Sequence, residues 1–457
     1  MAYRDLRTFL DDLETRGDLL RVDRTLSPRL EAAAVLRSLD DDEGPAVLFE
    51  RLRGHRVPVA GNLLSTHRRL ELALGAEGDV GKAIQDRLGK KRKPRKVASA
   101  PVHQVVKRRG LDLASLLPVL TYHMRDAGPF ITCAVLLYRN PETGRINMGI
   151  YRMQIQKRNV LSAQIVSPPL ARFVAEAEAQ GEAIPVAIAL GPDPGLFIGS
   201  VLQSEPGEDK LESAGGLRGA AVEVADGLTV DLPVPARAEM VLEGRILPGK
   251  RVEEGPMGES SGVYTKSHSC LIEVTAVTHR RDFLYHALLP WSRDEEALVS
   301  VAYALPMEMR LRAHDPAIRS FHLVSGTCAA HAVVSIQKSR RGHARDVLTL
   351  IFGLFPVIKQ VVVVDEDIDP RNSRMVSWAV ATRFQGDRDL VVIPKGSGFV
   401  IDPSAHRQDG GVLSTKVGLD ATMPYEDRAR FERIDVGDRA RKQASDILSG
   451  LSRTGKH

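Results

Sequence analysis

Acidic side chains are concentrated in the stretch VEEGPMGESSG, residues 252–262, which also contains Pro256 between two nearby glycines. Proline lacks an amide hydrogen and glycine loses more entropy on ordering, so we expect neither a helix interior nor a central strand here. Glu254 and Glu259 are five positions apart and would face opposite sides of a regular strand. The sequence therefore predicts a loop that directs two carboxylates at one point.

A candidate anion-binding residue lies upstream, in the strand-like run NMGIYR. Arg152 ends this run and presents a planar fork of donors that suits a carboxylate. Beside two glutamates it would lower the pKa of the nearer one, while the other, in more apolar surroundings, keeps a proton to donate. Arg152, Glu254 and Glu259 are thus a candidate proton-transfer set for an anionic substrate. The alternative is an edge strand with a surface arginine.

Composition limits the class of protein. The 457 residues are 43% apolar and 26% charged, which predicts two or three globular domains. No apolar run approaches the roughly 20 residues that span a bilayer, so we expect no membrane partner, and the N-terminus does not resemble a secretory signal. Cys133, Cys270 and Cys328 are isolated and odd in number, which favours a cytoplasmic protein. The net charge of +5 does not indicate nucleic acid.

Hydrophobic periodicity divides the chain into three parts. Residues 1–105 alternate helices and strands and end near the basic stretch 89–96, which we interpret as an exposed connector. Residues 106–310 are rich in short strands with Gly/Pro turns, typical of a barrel-like β-domain, with a helix at 170–180. Residues 311–457 read as an α/β module. Further predicted elements are strands at 228–232, 239–246 and 269–279, and helices at 343–354 and 426–449.

Several motifs together resemble the UbiD family of reversible decarboxylases. In chain order they are NMGIYRMQI, IPVAIALGPDP, AGGLRG, EEGPMGESSGVY, VVVVDEDIDP and STKVGLDATMP, and the resemblance runs from about residue 4 to 425. It implies a multi-domain α+β fold with an N-terminal α+β module, a central FMN-binding split β-barrel and a C-terminal α/β oligomerisation domain. It also implies a cytoplasmic homodimer or larger homo-oligomer.

The resemblance implies a reaction and a site. The expected reaction is non-oxidative, reversible decarboxylation of an aromatic or α,β-unsaturated carboxylic acid, with prenylated FMN, supplied by a flavin prenyltransferase, as electron sink. Glu259 corresponds to the proton donor, Arg152 positions the substrate carboxylate and the glutamates, and Glu254 supports them. Glu253 has no counterpart and is expected to be solvated. The expected cofactor contacts are Asn147, Ile150, Tyr151, Arg152, Gln164 and Lys210.

The chain departs from the resemblance at the expected metal site. Family members hold a divalent ion, often manganese, with an Asn, a His and a Glu; Asn147 matches the first, but the other two positions carry Leu170 and Lys210. Leucine has no lone pair and an ammonium repels a cation, so we expect no metal ligands here. Three alternatives account for these substitutions. A shift of register would make Glu212 a ligand, Lys210 would neutralise the cofactor phosphate directly, or the chain would be a non-catalytic flavin-binding or accessory subunit. Potassium is a further candidate for a bound ion.

Substrate and assembly are less well defined by the sequence. His286, Trp291 and Arg293 lie where the family places a variable segment near the substrate, and the late strand with Leu390, Val392 and Ile393 is either core or pocket wall. The carboxylic acid itself is not specified by these residues. The apolar stretches 348–355 and 359–364 and the terminal helix exceed what a small module needs for its own core, which favours a homo-oligomer.

Overall fold

The computed structural model describes residues 2–76, 78, 80–203, 207–408 and 411–454, and shows several domains that mix helices with sheets. In that part of the chain no helix is both long and apolar enough to cross a bilayer.

The N-terminal part builds a small sheet, here called the N-terminal sheet, covered by helices. Its elements are α1 Leu6–Thr15, β1 Leu19–Val22, α2 Glu31–Asp41, β2 Ala46–Phe49, β3 Val59–Gly61, α3 His67–Leu74 and α4 Val80–Leu88. Asp5 caps α1 in a capping box with Thr8, and the apolar stripe of α1 is buried. The strand order is β1–β2–β3–β16, and β16, Tyr285–Ala287, comes from far along the chain to pair in parallel with β3.

The central part forms a large sheet, the central sheet, in the order β6–β9–β10–β15–β14–β11–β7–β8, with β5 paired to β15. The elements of this part of the chain are β4 Arg95–Lys96, β5 Val105–Lys107, α5 Leu113–Leu116, β6 Phe130–Ile131, β7 Val135–Arg139, β8 Ile146–Ile150, β9 Met153–Lys157, β10 Val160–Ala163, α6 Leu170–Gln180, β11 Ile184–Leu190, α7 Pro194–Val201, α8 Lys210–Leu217, β12 Glu223–Asp226, β13 Pro233–Pro235, β14 Met240–Gly258 and β15 Tyr264–His279. Strands β13, β12 and β4 form a separate small sheet in that order. The predicted helix at 170–180 is confirmed.

The long hairpin of β14 and β15 corrects the first prediction. The stretch from Val252 to Gly258 is not a loop but the end of β14, paired with β15. Pro256 is tolerated because β14 has already left its other neighbour, β11, at Ile246, and because the register shifts between Glu254 and Met257. The predicted separation of strands at 246 and 269 is wrong for the same reason.

A second correction concerns residues 228–232, which bend instead of forming a strand. The backbone N–H groups of Leu228 and Thr229 donate to the buried carboxylate of Glu243, at 2.8 and 2.6 Å to Oε2. The side chain of Glu243 thus takes the place of a neighbouring strand as hydrogen-bond partner.

The C-terminal part is a sheet in the order β17–β18–β19–β22–β20, with β21 paired to β22, here called the C-terminal sheet. Its elements are α9 Arg293–Val299, α10 Leu305–His314, β17 Ile318–Leu323, β18 His331–Ile336, α11 His343–Leu354, β19 Gln360–Asp365, α12 Ser373–Arg383, β20 Leu390–Ser397, β21 His406–Gln408, β22 Gly411–Ala421 and α13 Asp438–Thr454. A π-helical segment, Ser300–Ala304, joins α9 to α10. The predicted helix at 343–354 is confirmed, whereas the terminal helix begins later than predicted.

The apolar stretches 348–355 and 359–364 are used inside the chain. Val361 and Val363 pack on α11, and Val362 and Val364 face α12, so β19 is buried on both sides as a parallel strand requires. These stretches do not leave an apolar surface for a second copy, and that part of the sequence argument is wrong. On edge strand β20, Leu390 and Val392 are exposed, while Ile393 packs against the core.

Candidate active site

Arg152 lies in the short connection between β8 and β9 and meets both predicted glutamates. Its Nε donates to Glu254 Oε1 at 3.1 Å, its second terminal nitrogen donates to Ser267 Oγ at 3.3 Å, and its first forms an ion pair with Glu259 Oε1. The arginine side chain is 11% exposed and Glu259 13%. Burial lowers the pKa of Arg152, and the charge of Glu254 opposes this shift. The structure therefore brings the three predicted residues into one cluster, called here the acid–base cluster.

A bulge in β14 puts both glutamates on the same face of the hairpin. Glu254 pairs with Ser267 and Met257 with Thr265, so Gly255 and Pro256 of β14 lie opposite the single residue Lys266 of β15. One inserted residue reverses the alternation of side chains, and positions five apart then face the same side. Gly255 fits this bulge because it has φ +96° and an added Cβ would lie 2.7 Å from the Thr265 carbonyl oxygen.

The two glutamates differ in their surroundings. Glu254 has no exposed side-chain surface, and its second oxygen accepts a hydrogen bond from Ser162 Oγ at 2.6 Å. Glu259 lies past the end of β14, where Thr265 Oγ1 donates to its Oε1 at 2.9 Å. Glu253, next to them, is solvated as predicted and pairs with Lys266. Only Glu259 keeps some exposed surface, which suits the glutamate that exchanges a proton with a substrate.

The hydroxyl partners were missed in the sequence, although β15 carries a signal for them. Thr265, Ser267 and Ser269 alternate along YTKSHSC, so they share one face of the strand. The Oγ atoms of Ser267 and Ser269 lie 2.9 Å apart, and Thr265 and Ser267 contact the acid–base cluster. A row of hydroxyl side chains on one face of a central strand is an indication of a polar site.

Asp126 was also missed, and it holds the end of β14 in place. Its fully buried carboxylate accepts the N–H of Gly258 at 2.9 Å and the N–H of His123 at 2.8 Å. The N–H of Ala127 donates to the carbonyl of Pro256 at 2.7 Å. These bonds fix the backbone next to Glu259. No periodic pattern marks an aspartate in an irregular segment, so this residue could not be predicted from the sequence.

The expected cofactor contacts are spread along β8, the end of β10 and α8. Asn147 and Ile150 are on β8, Tyr151 follows it, and Gln164 follows β10. The side-chain oxygen of Asn147 accepts the N–H of Met148 at 2.8 Å, and burial raises the pKa of Tyr151 to about 12. Lys210, the first residue of α8, reaches β8 and donates to the carbonyl oxygen of Met148 at 2.8 Å.

The residues present do not fit a divalent metal. Leu170 is 0% exposed and packs in the apolar core beneath the central sheet. Among residues 2–76, 78, 80–203, 207–408 and 411–454, no three His, Cys, Asp or Glu side chains converge as a ligand set would require. Glu212 is two residues from Lys210 on α8, about 200° around the helix axis, so it faces away from β8.

A cavity of about 900 Å³ lies between α3, α4, the α9–α10 segment and β17. Ser260, the neighbour of Glu259, is part of its wall, as are Trp291 and Arg293. The ring of Trp291 is 3.3 Å from the position of a Cβ on Gly262, and its indole N–H donates to the carbonyl of Gly326 at 3.4 Å. The cavity therefore adjoins the segment that carries Glu259.

Of the other two residues of the variable segment, His286 lies away from this cavity, and Arg293 lines it while its charged group is bound elsewhere. His286 is 4% exposed, packs edge-on against Phe197, and burial lowers its pKa to about 4. It is not among the residues that line the cavity. Arg293 pairs with Glu43 at 2.7 Å and donates to the main chain of Asp40. Of the three residues expected near the substrate, Trp291 makes the contact with the segment that follows Glu259.

Comparison with known proteins identifies the class of this fold and site. Three family models match successive parts of the chain: the N-terminal, Rift-related and C-terminal domains of 3-octaprenyl-4-hydroxybenzoate carboxy-lyase, over residues 10–88, 94–293 and 297–421. An uncharacterised protein of Archaeoglobus fulgidus is 34% identical over 95% of this chain and 94% of its own.

Solved structures agree. The UbiD-class enzyme HmfF of Pelotomaculum thermopropionicum, in complex with FMN, has 36% identity, covers 95% of this chain and 97% of its own, and superposes with a TM-score of 0.89. An evolved dimeric form of HmfF in complex with prFMN has 34% identity over the same shares of both chains, with a TM-score of 0.84. The closed form of vanillic acid decarboxylase of Sedimentibacter hydroxybenzoicus has 27% identity, covers 99% of each chain and has a TM-score of 0.85.

The fold is thus that of a carboxy-lyase, and the similar structures of HmfF are complexes with FMN or prFMN. The chain belongs to the UbiD family, and its enzyme class is carboxy-lyase.

Proposed function

We propose that the protein catalyses the non-oxidative, reversible decarboxylation of an aromatic or α,β-unsaturated carboxylic acid with prenylated FMN. The observation that carries this proposal is the acid–base cluster, in which Arg152 binds Glu254 and Glu259 on one face of the β14–β15 hairpin. The similarity of the chain to UbiD-class enzymes that bind FMN and prFMN supports the choice of cofactor.

The roles of the three residues follow from their exposure. Glu259 is the proposed proton donor to the carbon that loses CO₂, because it retains exposed surface and its neighbour Ser260 lines the cavity. Glu254 is completely buried and holds Arg152. Arg152 orients Glu259 and offers its guanidinium edge to the substrate carboxylate. The cavity of about 900 Å³ is the proposed place of the acid.

The proposed cofactor site lies on the central sheet, which we take as the split barrel of this family. Asn147, Ile150, Tyr151, Arg152, Gln164 and Lys210 are the proposed contacts. The ammonium of Lys210 has a proton beyond the two used on carbonyls, and it suits the phosphate of a flavin mononucleotide. When bound, prenylated FMN supplies the electron sink for release of CO₂.

Coexpression with a flavin prenyltransferase tests this function. We expect a copurified ligand with the mass of prenylated FMN, and release of CO₂ from members of a panel of unsaturated and aromatic acids. In ²H₂O, the product should carry deuterium at the vacated carbon.

A second candidate is a non-catalytic flavin-binding or accessory subunit, which the substitutions Leu170 and Lys210 favour. A loaded protein that neither releases CO₂ nor exchanges labelled CO₂ with any acid in the panel would support it. A protein that takes up no flavin at all would overturn both candidates.

We also propose a homodimer or larger homo-oligomer built through the C-terminal domain. Its terminal helix α13 exposes Ile447 at 63% and Leu448 at 65%, which an aqueous surface does not favour. Light scattering at micromolar concentration tests this; a monomer would contradict it. Ile447→Lys combined with Leu448→Lys should dissociate the assembly if α13 contributes to it.

The proposed domain boundaries are 1–105, 106–310 and 311–457, with the prenyltransferase and a small-molecule acid as partners in the cytoplasm. Cys133, Cys270 and Cys328 are free thiols, in agreement with a reducing compartment. Limited proteolysis tests the boundaries. Because residue 105 lies in β5 and residue 310 in α10, cleavage should begin in the irregular segments next to these elements.

A further inference from the structure

Lys210 is a partly buried cation whose partners, among the residues that the structure describes, are backbone carbonyl dipoles. Its Nζ donates to the carbonyl oxygens of Met148 at 2.8 Å and Ser200 at 3.1 Å. No carboxylate in the described part of the chain forms an ion pair with it. Burial lowers the pKa of Lys210 to about 8.

Buried lysines differ in this respect. Lys338 has the Asp420 carboxylate 3.7 Å away, whereas Lys416, like Lys210, donates to two backbone carbonyl oxygens, and the charge of Asp402 raises the pKa of Lys416 against the effect of burial. A desolvated ammonium without a counter-charge is unfavourable, so such a group is retained where a ligand provides the charge. An ammonium has three donors, and the two carbonyls use two of them.

The backbone around Lys210 leaves this side chain as the available cation. Asp209 caps α8 and accepts the N–H groups of Leu211 and Glu212, so the helix terminus is already occupied. The other oxygen of Asp209 accepts the N–H of Ile146 at 3.0 Å, which ties α8 to the start of β8. Arg152 follows the end of that same strand. Lys210 and the acid–base cluster are thus connected through β8.

We propose that Lys210 neutralises the phosphate of the flavin mononucleotide cofactor directly, in place of a divalent metal ion. This rests on the proposed function and specifies how the same site holds its cofactor. The lysine provides one positive charge and a hydrogen bond, and Leu170 leaves no second ligand with which a metal could bridge protein and phosphate.

FMN and riboflavin together test the proposal, because they differ only by the phosphate. Affinities of the full-length apo protein for both are measured in buffer with EDTA. We expect FMN to bind more tightly and EDTA to leave both affinities unchanged. In Lys210→Met, FMN affinity should fall by about 10- to 100-fold while riboflavin affinity stays the same. Lys210→Arg, which keeps the charge, should retain part of the preference for FMN.

Lys91→Met is the matched control. Lys91 is an exposed lysine that pairs at 2.6 Å with Glu208, just before the start of α8, and its loss should not alter either affinity. Lys210→Glu should weaken FMN binding further by repulsion, and Mn²⁺ should restore it only in part, because Leu170 still supplies no ligand. Circular dichroism shows whether each variant is folded.

Three outcomes would overturn the proposal. The first is an unchanged FMN preference in a folded Lys210→Met protein, which leaves the proposed function intact. The second is stoichiometric metal in the holoenzyme whose removal by EDTA releases the flavin. The third is a wild-type protein that binds neither flavin, which would overturn the proposed function as well.

Discussion

Arg152 follows the end of β8, Lys210 contacts Met148 in the middle of that strand, and the two cations have opposite kinds of partner. Each is a cation removed from most of the solvent. Arg152 is neutralised by Glu254 and Glu259, while the partners of Lys210 among the described residues are the carbonyl oxygens of Met148 and Ser200. The charge of the arginine is therefore balanced by carboxylates of the protein. The charge of the lysine is left for a ligand, so the two sites differ in whether the protein or the cofactor provides the anion.

The largest expected effect is that of a substitution in the acid–base cluster. Glu259→Gln keeps the shape of the side chain and removes its transferable proton, so we expect the rate of decarboxylation to fall by about 10²- to 10⁴-fold. Steady-state release of CO₂ by loaded enzyme measures it. Glu253→Gln, two strand positions from the same bulge but exposed and paired with Lys266, is the control and should leave the rate unchanged. Near-normal turnover by Glu259→Gln would exclude it as proton donor.

Stability should separate the two cations next. Arg152→Met leaves the fully buried Glu254 without its partner, which is expected to lower the free energy of unfolding by about 3–5 kcal/mol. Lys210→Met removes a charge that no carboxylate of the described residues pairs with, so the apo protein should be unchanged or slightly more stable. Urea unfolding of both apo variants measures this. Equal destabilisation would show that Lys210 has an anionic partner within the protein.

Gly258→Ala should disturb the acid–base cluster and leave the surroundings of Lys210 unchanged. A Cβ at this position would lie 2.4 Å from the ring of His123, so the backbone next to Glu259 must shift. Overpacking of this kind typically costs about 1–3 kcal/mol. We expect a lower kcat and an unchanged ratio of FMN to riboflavin affinity. A change in that ratio would mean that the acid–base cluster and the site of Lys210 are coupled.

The smallest effect sets the baseline for these comparisons. Gly353 lies in α11, far along the chain from either end of β8, and a Cβ there meets no atom within 4 Å. Gly353→Ala should stabilise the protein by up to about 1 kcal/mol through helix propensity. Thermal unfolding measures the gain, and both kcat and flavin affinity should remain as in the wild type. A loss of stability would indicate that α11 is covered by another copy.

The sequence predicted the chemical groups of the acid–base cluster but not their backbone. Residue types made Arg152, Glu254 and Glu259 candidates, and the resemblance to the UbiD family implied that they form one network. The loop prediction was wrong because it treated the alternation of a strand as unbroken, and a one-residue bulge depends on pairing with β15, which lies outside the local sequence. Long, strongly periodic elements such as α6 and α11 were predicted with correct bounds, since their burial pattern is local.

Contacts between distant segments account for what could not be predicted. Asp126 acts on Gly258 across 132 positions, and its irregular backbone carries no periodic signal. The apolar run of β19 was assigned to an interface because one strand cannot show that helices cover both its faces. The hydroxyl row of β15 was visible in the sequence, but only the structure shows which polar groups it meets.

The pairing of β16 with β3 has a consequence for how the protein is made. The partner of the edge of β3 is Tyr285–Ala287, so a ribosome must synthesise more than 200 further residues before the N-terminal sheet is complete. Until then the nascent chain presents an unpaired edge, the kind of surface that other chains can join. Assembly of the first part of this protein is therefore governed by translation of the middle, and the two fold as one unit.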